Sequence, residues 1–372
     1  MRNWAIVVGI NEYPPAANQT VLKGAVADAA DFADWALHPS GGAVAPKDLF
    51  FWTHPAPNEP TDRLAAFLAD ATPWVDIDKG DTPEEAPLEA MAVGRAPEVD
   101  DIVITALAGA EAAKRAGGQH RIYVFFAGHG VQTTTIESAA LPQTCFVTAN
   151  FRTRFATRGL IPCDDLRNGL MNLGFSQVVM FLDCCRSSIS LTKPPPSLDM
   201  NNTGSRPKPN YGVGRASDYG ALAYEAPAGA ERRGAFSQVL LDGLRRHRDD
   251  GVQVLTLNAL ANYVSTSIGE VVKPNIQLPQ FEIIPSNPKF EILNAPKIDP
   301  SVDILVTFSQ AFAEVVLKDG KTRVMFVFKN IEAGQEACCQ APAGGLYSLE
   351  TPDRTHVYAF PHTGPDVTHV AF

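Results

Sequence analysis

Two apolar runs in this chain stop abruptly on reactive side chains. Residues 122–130 (IYVFFAGHG) end on His129 between two glycines, and residues 177–188 (QVVMFLDCCRSS) end on Asp183, Cys184, Cys185 and Arg186. Unbroken runs of β-branched and aromatic residues predict strands buried on both faces, as in a parallel sheet covered by helices. Residues 4–10 (WAIVVGI), closed by Asn11 and Pro14-Pro15, predict a central strand, and residues 49–52 (LFFW) a second. Further strands are expected over 121–127, 145–149 and 178–182, with an extended segment over 277–284. Within 21–37, Leu22, Ala25, Val26, Ala29, Phe32, Ala33 and Leu37 recur at helical spacing. Residues 97–117 open on proline and acidic residues and close on Lys114, Arg115 and Gly117-Gly118, the charge order of a capped helix. Other helices are expected over 61–70, 164–172, 235–247 and 257–270.

This alternation of strands and helices predicts an α/β domain over residues 1–295, a mostly parallel sheet sandwiched by helices. From about residue 296 the segments ILVTF, AEVVL, RVMFVF and HVYAF, separated by Asp-Gly and Gly-rich turns, predict a small all-β, sandwich-like domain over 296–372. Two stretches break the pattern. Residues 76–89 are acidic and carry prolines, and read as an exposed insertion. Residues 190–215 hold PPP, asparagines, glycines and the basic Lys193, Arg206, Lys208 and Arg215, and read as an exposed, mobile loop.

Composition narrows the function classes. The net charge of −10 argues against a nucleic-acid-binding surface. No apolar run approaches the length of a membrane span, and the apolar stretch at the N-terminus is too short for a signal peptide. The six cysteines, at 145, 163, 184, 185, 338 and 339, form two vicinal pairs and two singles without a CxxC pattern, which predicts a reducing cytoplasm. Cys338-Cys339 with His356, His362 and His369 match no common zinc spacing, so these histidines are expected at the surface or on edge strands. The carboxylates Asp76, Asp78, Asp81, Glu84 and Glu85 lack the spacing of an EF-hand loop, leaving a solvated insertion as the expectation. No metal and no cofactor is predicted.

The chemistry follows from where the two runs end. Ligands and catalytic groups of a parallel sheet sit beyond the carboxyl ends of its strands. A thiolate is a strong nucleophile, a free thiol is mostly protonated at neutral pH, and an imidazole can take its proton. His129 is the candidate base, and Gly128 and Gly130 open the backbone around it. The backbone N–H groups of Gly130 and Cys185 are candidate donors to an oxyanion.

The residues FFAGHG followed by FLDCCRSS resemble the caspase-like cysteine peptidases, and among them the metacaspase and bacterial caspase-like branch. Supporting matches are VVGINEY at the first strand, LKGAVADA at the first helix and RRGAFSQVLLDGL later, so the resemblance covers roughly residues 1–290. His129 precedes Cys185 by 56 positions and Arg186 follows it, close to the caspase arrangement of a histidine about 50 residues upstream. The resemblance makes Cys185 the nucleophile and Cys184 its neighbour. It further implies that Asp183 and Asp28 line the pocket for the residue before the scissile bond, which two carboxylates would restrict to Arg or Lys. It also implies protein substrates, cleavage of the loop near 190–215 by the enzyme itself or an upstream protease, and, by analogy alone, stimulation by calcium. The C-terminal domain, without a catalytic signature, is expected to bind a regulatory partner, a substrate or the protease domain. The chain departs from the family at Ala127, where metacaspases often have Ser, and at Ser187-Ser188, where they commonly show Ser-Gly after a His. A catalytically silent caspase-like regulatory module is the alternative class. A thiol-disulfide role for Cys184-Cys185 is disfavoured by the strain of pairing adjacent cysteines.

Overall fold

The computed structural model describes residues 1–70, 91–93, 96–135, 142–152, 158–198, 200, 210–228, 231–246, 254–285, 290–294, 301–320, 322–342, 345–362 and 367–372. These fall into two compact units, Met1–Leu241 with Leu255–Leu293, and Asp242–Val254 with Asn294–Phe372. The acidic stretch 76–89 lies outside the described residues.

The N-terminal part of the chain alternates β1 (Arg2–Ile10), α1 (Ala25–Leu37), β2 (Leu49–His54), α2 (Asp62–Asp70), β3 (Met91–Val93), α3 (Val99–Ala116) and β4 (His120–Ala127). Then come β5 (Gly130–Thr135), β6 (Gln143–Val147), β7 (Leu160–Pro162), α4 (Cys163–Asn172), β8 (Gln177–Asp183), β9 (Ser187–Leu191) and β10 (Tyr211–Arg215). A hairpin of β11 (Glu225–Ala228) and β12 (Glu231–Gly234) leads into α5 (Ala235–Arg246), followed by β13 (Val254–Thr256), α6 (Leu257–Val271), β14 (Gln280–Ile284) and β15 (Glu291–Asn294).

Seven strands form the main sheet in the order β14-β10-β8-β4-β1-β2-β3. All neighbours are parallel except the edge strand β14, so the expectation of a mostly parallel, helix-covered sheet holds. The unbroken apolar runs follow from this position, since both faces of the central strands are covered. Trp4, Ile6 and Val8 of β1, Ile122, Val124 and Phe126 of β4 and Val178, Met180 and Leu182 of β8 share one core with Ile102, Ala106 and Ala110 of α3 and Leu166 and Leu170 of α4. On the other face Phe32 of α1 stacks on Phe125 at 4.5 Å and Trp35 meets Tyr123 edge-on at 5.3 Å. Each such buried aromatic side chain contributes about 1.5–3 kcal/mol through burial.

The register of β4 against β8 positions the site. Ala127 stands opposite Asp183, and the N–H of Gly128 donates to the carbonyl of Asp183 at 3.2 Å. The two strands therefore release His129 and Cys185 at the same sheet edge. Just beyond it lies a smaller sheet in the order β7-β6-β5-β9, in which β5 and β9 run parallel.

The described ends of the stretch 190–215 differ from the exposed loop expected. They belong to strands β9 and β10, and Arg215 is buried in the main sheet, paired with Glu282 at 3.2 Å and Asp164 at 3.3 Å. Two of the glycines that suggested a loop serve close packing: a methyl group at Gly212 would stand 2.1 Å from Leu257, and one at Gly214 2.7 Å from Phe281. Lys193 is exposed, while Arg206 and Lys208 lie outside the described residues.

The second unit carries β16 (Ser301–Thr307), β17 (Phe312–Asp319), β18 (Val324–Ile331), β19 (Glu336–Pro342), β20 (Gly345–Glu350), β21 (Val357–His362) and β22 (Thr368–Ala371). They form sheets ordered β19-β16-β22 and β18-β17-β20-β21, around a core that includes Ile304, Val306, Phe308, Val315, Leu317, Leu349 and Phe360. His362 ends the edge strand β21, one of the two positions expected for it, but its ring is buried between the Thr368 hydroxyl at 2.6 Å and the Ala341 carbonyl at 3.1 Å.

Candidate active site

His129 leaves β4 on a turn gripped by the segment that follows β1. Its backbone N–H donates to the Tyr13 hydroxyl at 2.8 Å, and the two rings lie 5.1 Å apart. The turn is tight: a methyl group at Gly128 would come within 2.7 Å of the Tyr13 oxygen. The imidazole Nε2 is 2.6 Å from the Thr20 carbonyl oxygen. A carbonyl only accepts, so Nε2 carries the proton and Nδ1 is the basic nitrogen. Burial holds the imidazole pKa below its usual value, opposed by the Thr20 carbonyl and the charge of Glu225.

Cys184 is buried, whereas Cys185 is only partly so. The Cys185 thiol donates to the Ala223 carbonyl at 3.6 Å and accepts the Ala223 N–H at 3.3 Å. Burial raises its pKa, Ala223 opposes this, and the nearby Asp183 reinforces it. Both shifts favour the neutral form of each group. Gly130 begins β5 directly against the pair: a methyl group there would stand 2.5 Å from the Cys184 sulfur and 2.7 Å from the Cys185 carbonyl oxygen. Arg186 turns inward and is buried, donating to Thr144 at 3.1 Å, Gln132 at 3.2 Å and the Ser217 carbonyl at 3.1 Å, with Tyr219 across its face.

His129, Cys185, Asp183 and Asp28 line a single small cleft, partly open to solvent. Asp183, at the end of β8, accepts both the N–H and the hydroxyl of Ser237 on one oxygen, at 3.0 and 2.5 Å. Burial pushes its pKa up to about 6, against those two hydrogen bonds and with the help of Glu225. Asp28 comes from the first turn of α1. Its Oδ1 accepts the Arg233 Nε–H at 2.6 Å and its Oδ2 the Gly234 N–H at 2.7 Å. Burial pushes this carboxyl up and the Arg233 guanidinium opposes it.

One lining residue carries chemistry that the sequence pattern did not single out. Glu225, at the start of β11, faces the cleft and accepts the N–H groups of Lys23 and Gly24 on Oε1, at 2.7 and 2.6 Å. A third carboxylate is thereby fixed beside His129 and Asp183. Among the described residues no three His, Cys, Asp or Glu side chains are placed to hold a metal ion, and no helix is long and apolar enough to cross a membrane.

The chain is similar to several known proteins. The family model for the caspase domain matches residues 2–287. A probable protease from a Desulfuromonadales bacterium is 24% identical over 309 residues, 77% of this chain but only 31% of that protein, so the chain spans less than a third of its length. Protein GSU0716 of Geobacter sulfurreducens is 15% identical with a TM-score of 0.42, covering 76% of this chain and 93% of that one. Caspase-1 from Spodoptera frugiperda is 10% identical with a TM-score of 0.44, covering 76% and 88%.

Proposed function

The chain belongs to the caspase-domain family of cysteine peptidases, and on that premise we propose that it is an endopeptidase that cleaves proteins after Arg or Lys, with Cys185 as nucleophile and His129 as base. The observation that carries the reading is the convergence of these two residues, from separate strands, on one cleft that also holds Asp183 and Glu225. In the proposed reaction the Cys185 proton passes to Nδ1 of His129 as the sulfur attacks the scissile carbonyl carbon. The carbonyl oxygen becomes an oxyanion, for which the N–H groups of Gly130 and Cys185 are the proposed donors. The amide C–N bond then breaks, His129 returns the proton to the leaving amine, and water hydrolyses the thioester. The Thr20 carbonyl supports this by fixing the tautomer and steadying the imidazolium that forms.

Substrate choice follows from charge. A cleft walled by Asp183 and Glu225 attracts a basic side chain and repels an acidic one. Access to the nucleophile requires the Ala223 backbone to exchange its contact with the thiol for one with substrate. For activation we retain cleavage between β9 and β10, with exposed Lys193 as the described candidate position; buried Arg215 is removed from the set. The test is covalent labelling by an arginyl chloromethyl ketone followed by peptide mapping. Label on Cys185, absent from Cys185→Ala and blocked by an arginine-containing peptide, is the expected result. Label that persists in Cys185→Ala refutes the assignment.

A further inference from the structure

The carboxylates at the cleft differ in what they have left to offer a ligand. Asp28 has both oxygens engaged, Oδ1 by Arg233 at 2.6 Å and Oδ2 by the Gly234 N–H at 2.7 Å, and it is 1% exposed. Arg233 also reaches Asp31 through Nη2 at 2.7 Å, so it joins β12 to two positions of α1. Asp183 uses only Oδ2, toward Ser237, and Glu225 uses only Oε1, toward Lys23 and Gly24. Oδ1 of Asp183 and Oε2 of Glu225 accept no hydrogen bond from any described residue. The packing is equally specific at Gly234, where a methyl group would stand 2.1 Å from Asp183 Oδ2 and 2.8 Å from Asp28 Oδ2. Two buried carboxylates so close together repel, and burial alone disfavours their charge. A fixed cation on the far side of one of them relieves both effects.

We propose that Arg233 determines specificity in this cleft by taking Asp28 out of substrate recognition, leaving Asp183 and Glu225 to bind the basic side chain. This rests on the reading above that the cleft accepts such a side chain. A guanidinium presents its N–H groups in a planar fork and needs acceptors with unused lone pairs. Asp183 and Glu225 each present one oxygen that no described residue occupies, while both oxygens of Asp28 already hold a partner, its side chain is buried, and the Arg233 cation stands against it. Asp28 is then a strut: it fixes β12, and through Gly234 it fixes the wall against which Asp183 stands.

The full-length chain tests this with matched fluorogenic peptides that carry arginine or citrulline before the scissile bond. Citrulline keeps the shape and loses the charge. The ratio of kcat/KM for the two is read on the same preparation, so incomplete folding of a variant cancels. The double variant Asp28→Asn/Arg233→Gln is expected to keep the wild-type ratio within about threefold. Asp183→Asn and Glu225→Gln are each expected to lower it about tenfold or more, the scale of losing a charge-assisted hydrogen bond. Arg233→Gln alone, which unmasks Asp28, is expected to raise it. A double variant that loses the preference as fully as Asp183→Asn overturns this inference while leaving the basic-residue reading intact. A wild-type enzyme indifferent to citrulline sinks that reading and the inference with it.

Discussion

At the scale of single residues, burial of Cys185 and His129 favours the neutral form of each, and their protonation states can be measured. Burial raises the Cys185 thiol and lowers the His129 imidazole. The rate of Cys185 alkylation by iodoacetamide is therefore expected to climb about tenfold per pH unit and keep rising above the ordinary thiol value. A plateau across the acid and neutral range would signal a pre-formed ion pair and refute this. Asp183, whose carboxyl burial pushes up to about 6, supplies a second titration. Protonation removes the negative charge that draws a basic side chain, so the arginine-to-citrulline ratio should fall as pH drops through that value. A ratio flat across it would mean that Asp183 does not face the substrate. His129, Cys185 and Asp183 were legible in the sequence because each ends, or closely follows, an apolar run. Glu225 was not, since its role depends on backbone N–H groups of Lys23 and Gly24 about two hundred positions away, which no local pattern encodes. The Thr20 and Ala223 contacts were hidden for the same reason: main-chain groups leave no side-chain signature.

At the scale of elements, legibility followed burial. Strands β1, β4 and β8 are covered on both faces and read as continuous apolar runs, α1 reads from its spacing, and α3 reads from the charge order and end signals at its termini. Strand β5 (GVQTTT) belongs to the smaller sheet and is largely polar, so hydrophobicity gave no cue to it. Strand β10 was obscured by glycines that let Leu257 and Phe281 approach its backbone. The same kind of close approach holds α1 on the sheet, where a methyl group at Gly9 would lie 2.5 Å from the Ala29 Cβ and 2.6 Å from the Ala25 carbonyl. Gly9→Ala must push the helix that carries Asp28 away from β1. It is expected to cost about 1–3 kcal/mol in denaturant unfolding. Gly269→Ala, in α6 with nothing within 4 Å of the added methyl, provides a control of opposite sign. It should stabilise by about 0.5–1 kcal/mol through helix propensity alone. A Gly9→Ala protein as stable as wild type would refute the close-packing account of how α1 is seated.

At the scale of the whole molecule, the two units have cores with no residue in common. Ile304, Val306, Phe308, Leu317 and Phe360 belong to a cluster drawn wholly from the C-terminal unit, while the sheet core beneath the cleft draws on residues from Trp4 to Val213. The sequence announced this change of architecture as a change of period, from buried runs to alternation, although β19, β20 and β22 were missed in stretches with weak alternation. Separate cores have a thermodynamic consequence, because a cavity costs stability where its own lining fails to collapse. Leu317 is completely buried on β17. Leu317→Ala should destabilise the C-terminal unit by about 2–5 kcal/mol. If Cys185 chemistry depends only on the first unit, its alkylation rate and pH profile should be unchanged in that variant below the melting temperature of the weakened unit. Calorimetry of the same protein should show the C-terminal transition moved to lower temperature and that of the first unit left in place. A single transition that shifts as a whole, or a Cys185 alkylation profile that changes with Leu317, would mean that the strand-rich unit contributes to building the cleft. The C-terminal strands would then belong to the peptidase as much as the sheet that carries His129 and Cys185.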